Sequence, residues 1–159
     1  MRAAWRRGAL ALVAAVALLA VPGTSRAAST SVAGSVGGVE LCPQFVCGAA
    51  IFIGAFEGTV DGLDETGGWW VAVRHDELPR PGQSAQIVGG QWGMTLDGRS
   101  VRGGVVTSGT ITNIGNKAFV VVPRLAIHEG GAGALALSIL LDHAPFPPRV
   151  HGSVAPIAE

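Results

Sequence analysis

Apolar and polar side chains alternate along most of the chain after residue 48, and this period of two is typical of β-strands. In residues 49–60, Phe52 and Phe56 share one face with Gly54 and Gly58. Glycines on an inward face let a strand coil at the corner of a barrel. We therefore predict a strongly bent strand over this segment.

Six further strands are predicted by the same alternation and by the turn residues between them. Asp61-Gly62 and Asp97-Gly98 are typical of hairpin turns, and prolines bound other segments. The predicted strands cover residues 69–75, 84–96, 101–114, 117–128, 134–143 and 149–154.

Two of these strands carry signs of a bulge. The apolar residues change from odd to even positions across Gly89-Gly90, as a one-residue bulge requires. Pro123 indicates a bulge or an edge position within residues 117–128. The predicted core comprises Phe52, Phe56, Val71, Val73, Phe119, Val121, Leu125, Leu137 and Ile139.

Many strands with short turns predict an all-β fold, a small antiparallel meander closed into a barrel of seven or eight strands. Closure removes the two exposed sheet edges, but a two-sheet β-sandwich is the alternative because the same alternation serves both folds. We assign residues 49–159 to this domain and expect side chains to fill its interior. Residues 28–48 offer little to bury, so we expect a loosely ordered leader there.

The first 27 residues have the composition of a secretory signal peptide, with arginines, then an apolar run over residues 9–21, then small residues up to Ala28. The run has 13 residues, whereas a membrane-spanning helix needs about 20, so an uncleaved anchor is the weaker alternative. We expect cleavage near Ala27 and a mature protein that is secreted, periplasmic or at the cell surface and does not span a membrane.

The charge balance changes once this segment is removed. Seven basic and eleven acidic residues remain, a formal charge of about −4, and Lys117 is the single lysine. A nucleic-acid-binding domain needs a basic cluster, which this chain lacks. We therefore exclude nucleic acid as a partner.

Cys42 and Cys47 are the only cysteines, and an even number in an exported chain favours a disulfide. A redox-active pair normally has two residues between its cysteines rather than four, and a zinc site would need further thiols. Free thiols and redox chemistry remain the alternatives to a structural disulfide.

Candidate catalytic residues lie at the predicted strand ends, namely His75, Asp76, Asp142, His143 and His151. Because consecutive strands of a meander run in opposite directions, these residues should share one rim, with His128 and Glu129 at the other. Strand ends commonly collect polar residues because they meet solvent, which is the alternative explanation. No His-x-His or His-Glu-x-x-His spacing is present, so we predict no metal site.

Trp69 and Trp70 are candidates for ligand binding. Adjacent residues of a strand point to opposite faces, so one of the two indoles should lie on the surface unless the leader covers it. An exposed indole can stack on a carbohydrate or anchor a protein partner, although single exposed aromatic residues are common.

These observations predict an exported, non-catalytic β-barrel with a binding or structural role, with a protein or carbohydrate as possible partner and with no cofactor. The alternative is a metal-binding protein or a hydrolase that uses the strand-end histidines and aspartates. The chain has no Gly-x-Ser-x-Gly elbow and no glycine-rich loop followed by a helix and lysine, so neither serine hydrolysis nor nucleotide binding is indicated.

Overall fold

The computed structural model describes residues 29–97 and 100–157, and the predicted signal peptide lies outside them. Within these residues eight antiparallel strands form a closed barrel rather than a two-sheet sandwich. Each strand pairs with its neighbours in sequence, and the first strand pairs with the last to close the barrel. The strands are β1 (Val32–Cys42), β2 (Ala50–Val60), β3 (Leu63–His75), β4 (Ser84–Leu96), β5 (Ser100–Asn113), β6 (Lys117–Glu129), β7 (Ala134–Asp142) and β8 (Arg149–Pro156), with one short helix α1 (Gln44–Cys47).

Strand β1 corrects the prediction that residues 28–48 form a loosely ordered leader. It pairs along its length with β2 and also with β8, so it supplies the strand that closes the barrel. Its inward side chains Val32, Val36 and Glu40 are separated by glycines, and the segment therefore lacks the bulk by which a strand is normally recognised. The neighbouring strand supplies the bulk through Phe52 and Phe56.

Two pairs of inward glycines allow β1 and β2 to approach each other closely. Gly34 lies opposite Gly58, and Gly38 lies opposite Gly54. A Cβ atom at Gly38 would overlap the backbone of Ile53, and one at Gly54 would overlap the carbonyl oxygen of Gly37. Glycine is required at these positions because no side chain fits between the two backbones.

The bulge predicted in β4 is confirmed. Arg74 pairs with Gly89 while His75 pairs with Ile87, which leaves Val88 as the extra residue. Ala85 and Ile87 before the bulge are buried, as are the even-numbered apolar residues after it. One added residue reverses which alternate side chains face inward, so both groups reach the same core.

A bulge in β6 also changes which side chains face inward, and two of the predicted core residues are therefore wrong. Phe119 and Val121 are exposed, at 47% and 41%, whereas Val120 and Val122 are buried. The pairing with β7 shifts between Val122 and Leu125, around Pro123, and the inward face changes there. The other predicted core residues are buried, namely Phe52, Phe56, Val71, Val73, Leu125, Leu137 and Ile139.

The two ends of the barrel differ in how their interior is filled. Strands β1, β3, β5 and β7 end at what we call the open end, and the opposite rim is the closed end. The closed end is filled by large side chains, among them Phe56, Met94, Leu96 and Leu135. No helix of the described residues has the length and apolar character needed to cross a membrane.

Candidate ligand-binding cavity

A cavity of about 420 Å³ occupies the open end of the barrel. Its inner wall is formed by Ala50 and Ala118 together with Ile111 and Leu141. The two alanines leave unfilled the space that larger side chains occupy at the closed end. The expectation that side chains fill the whole interior is therefore wrong at this end.

Three segments form the mouth of the cavity. The residues that follow β1 contribute Pro43, Gln44 and Phe45, the β3–β4 connection contributes Leu78 and Pro79, and the β7–β8 connection contributes Phe146, Pro147 and Pro148. Several large apolar side chains here are exposed, with Phe146 at 98% and Phe45 at 73%. The mouth is thus an apolar surface that continues into the cavity.

Glu40 is the buried acidic residue of the cavity, with only 9% of its surface exposed. It lies on the inward face of β1, and its backbone N–H donates to the carbonyl oxygen of Pro148 at 2.9 Å. Burial raises the pKa of its carboxyl group, because the charged form loses solvation, while His143 and then His75 partly oppose the shift. Its Oε2 lies 3.8 Å from Nε2 of His143.

His75 is also buried, at 6% exposure, and lines the same cavity. Its Nδ1 makes a hydrogen bond with the carbonyl oxygen of Glu77. Since a carbonyl oxygen only accepts, Nδ1 carries the hydrogen and Nε2 of the neutral ring is left as an acceptor.

Gln44 attaches the helix α1 to the end of β3. Its side-chain amide donates to the carbonyl oxygen of His75 at 2.8 Å and accepts from the His75 N–H at 2.7 Å. The predicted disulfide between Cys42 and Cys47 is present and joins the two ends of this segment, with Cα atoms 6.1 Å apart. Together these contacts hold one wall of the mouth in place.

Two of the five strand-end candidates, His75 and His143, line the cavity. The other three have different surroundings. Asp76 accepts hydrogen bonds from the N–H groups of Glu77 and Gln86 and so stabilises the turn after β3.

Asp142 pairs with Lys117 at 3.7 Å and accepts from the N–H of Ala144. His151 is exposed on the outer face of β8, opposite Gly37 of β1. Of the five candidates, only His75 and His143 therefore line the cavity, and the other three make turn contacts or lie on the surface. His128 and Glu129 lie at the closed end, where β6 ends.

Glu40 was missed by the sequence analysis because it was assigned to the leader. One signal could have found it, since Val32, Val36 and Glu40 all fall on the same face of a strand of period two. The intervening glycines conceal that pattern.

The two tryptophan candidates lie away from the cavity mouth. Trp69 is buried, and its Nε1 donates to the carbonyl oxygen of Gly37 at 3.1 Å. Trp70 is 41% exposed and packs its indole over Gly93 of the neighbouring strand. One indole is therefore on the surface, as the alternation predicts.

Among the described residues, no group of three or more histidine, cysteine, aspartate or glutamate side chains is arranged to hold a metal ion. The chain matches no family model, and no curated protein or solved structure is significantly similar to it. The cavity and its residues are therefore the features that bear on function.

Proposed function

We propose that this protein is an exported, non-catalytic barrel that binds an apolar small molecule in the cavity of its open end. The observation that carries the proposal is a cavity of about 420 Å³ whose lining is mainly alanine, leucine, isoleucine, proline and phenylalanine. Small-molecule sites in proteins are typically concave and apolar, of about 300–1,000 Å³, with few polar groups that orient the ligand.

The composition of the mouth supports the same proposal. Leu41, Phe45, Leu78 and Phe146 line it and are exposed, although each would be more stable when covered by apolar atoms. A bound molecule that extends from the cavity would remove part of this surface from water. The apolar area that it buries is the expected source of affinity.

Export is part of the proposal. The disulfide is compatible with an oxidising compartment, and the arginine-containing apolar N-terminus has the composition of a signal peptide. A location outside the cytoplasm accounts for both features.

A metal-binding protein or hydrolase is the less favoured alternative. It was based on five residues, of which His75 and His143 line the cavity while Asp76, Asp142 and His151 are engaged or placed elsewhere. A carbohydrate or protein partner at Trp70 has only a single exposed indole to support it.

The test is binding of the uncharged fluorophore N-phenylnaphthylamine, whose emission rises in apolar surroundings, to protein expressed from the full chain. Replacing Ala118 or Ala50 by leucine fills the cavity, and we expect either variant to weaken binding about tenfold or more. Ala55→Leu, on the exposed face of β2, is the matched control and should bind normally. Equal binding by wild type and both cavity variants would refute the proposal.

A further inference from the structure

Resting on the proposed function, we infer that the cavity selects amphiphilic amines, which are molecules with an apolar body and a protonated amino group that pairs with Glu40. The arrangement that carries the inference is the buried Glu40 carboxylate, with the imidazole rings of His75 and His143, in the lining of a mainly apolar cavity.

The lining residues include one carboxylic acid, Glu40, and no lysine or arginine. Of the nearby basic residues, Lys117 pairs with Asp142, and Arg80 and Arg149 are exposed to solvent and do not line the cavity. An anionic ligand would therefore lie near the Glu40 carboxylate with no lysine or arginine in the lining to balance its charge. A cationic ligand would supply the charge that a buried carboxylate needs.

The amide side chains of the lining are already engaged. Gln44 is bonded to the backbone of His75 in both directions. Asn113 donates to the carbonyl oxygen of Pro79 and accepts from the N–H of Gly115, each at 2.9 Å. Each amide is therefore held in place by the backbone, and its NH2 group retains a second hydrogen.

The Glu40 carboxylate and the two imidazole rings are the other polar groups of the lining. The Glu40 carboxylate has His143 at 3.8 Å, which is beyond hydrogen-bond distance, and the neutral form of His75 presents Nε2 as an acceptor because its Nδ1 is bonded to Glu77. An ammonium group has three donors and no acceptor, so it can satisfy both sites, whereas a hydroxyl group has one donor.

The experiment compares octylamine, octanol and octanoate at pH 7 by isothermal titration calorimetry, using the protein expressed from the full chain. These three probes have the same chain length and differ in the head group. We expect octylamine to bind about tenfold or more tightly than octanol, because its ammonium group carries the charge opposite to the Glu40 carboxylate whereas a hydroxyl group is neutral, and octanoate to bind most weakly.

Glu40→Gln keeps the size of the side chain and removes its charge. It should lower octylamine affinity far more than octanol affinity, so that the two probes bind about equally to this variant. Glu57→Gln, on the exposed face of β2, is the matched control and should retain the preference for the amine.

The outcomes separate the two proposals. If octylamine and octanol bind equally to the wild type, or octanoate binds best, the amine inference fails while the proposed function stands. If neither of these probes nor N-phenylnaphthylamine binds, the proposed function fails as well. If the amine preference survives in Glu40→Gln, the assignment of Glu40 as its partner is overturned.

Discussion

The two ends of this barrel are built by the same eight strands and differ in the volume of their inward side chains. At the closed end Leu96 and Leu135 are almost fully buried and fill the interior. At the open end the corresponding layer contains Ala50 and Ala118, and the polar residues Glu40 and His75 face the resulting space. The closed end is therefore packed with side chains, whereas the open end keeps the cavity in which we propose that a ligand binds.

The largest effect should come from the closed end. Replacing Leu135 by alanine removes a fully buried side chain, and we expect a loss of about 2–5 kcal/mol in the free energy of unfolding, measured by chemical denaturation. Leu78→Ala at the exposed mouth should change stability by less than about 0.5 kcal/mol. A loss below about 1 kcal/mol for Leu135→Ala would contradict the distinction between the ends.

A second effect tests whether β1 is part of the barrel towards the open end. A Cβ at Gly38 overlaps the backbone of β2, so Gly38→Ala should destabilise the protein by about 1–3 kcal/mol in the same measurement. Gly37→Ala is the neighbouring control, because its Cβ would have its nearest neighbour 3.9 Å away. Similar stabilities of the two variants would argue against the close approach of β1 and β2.

The disulfide restrains the mouth of the cavity. Replacing both Cys42 and Cys47 by alanine should lower stability by about 2 kcal/mol, since the bond closes a short loop in the unfolded chain. Thermal unfolding with and without a reductant is the measurement. The wild type should respond to the reductant and the double variant should not; an identical response would show that the bond is absent in the folded protein.

The smallest effect concerns the charge of Glu40. Because burial raises its pKa in the folded state, the neutral form stabilises the fold, and this contribution is complete below the ordinary pKa of 4.5 and is lost as the pH rises through the folded value. His143 and His75 oppose the shift without reversing it.

Glu40→Gln should therefore match the wild type near pH 4 and become more stable than it towards pH 7. Denaturant unfolding at several pH values measures this difference. The exposed Glu57→Gln variant serves as the control and should follow the wild type throughout. A wild type that gains stability over Glu40→Gln with rising pH would show that the sign of the Glu40 contribution is wrong.

Much of the fold could be predicted from local patterns. The alternation of side chains and the turn residues predicted seven of the eight strands, and β4 was predicted with its observed bounds, Ser84–Leu96. The face of β6 before Pro123 could not be derived in the same way, because the position of a bulge decides which of two apolar sets turns inward. Both sets are hydrophobic in this strand, so the pattern did not distinguish them.

By itself, the sequence determined the all-β class and the positions of seven strands, and it favoured the pairing of the two cysteines, because each depends on residues close together in the chain. Only the tertiary structure showed that β1 closes the barrel and that Glu40, His75 and His143 line one cavity. Those features depend on closure, which brings β1 beside β8 and places the small Ala50 and Ala118 in one layer. Small side chains that meet from distant strands produce no local pattern along the chain.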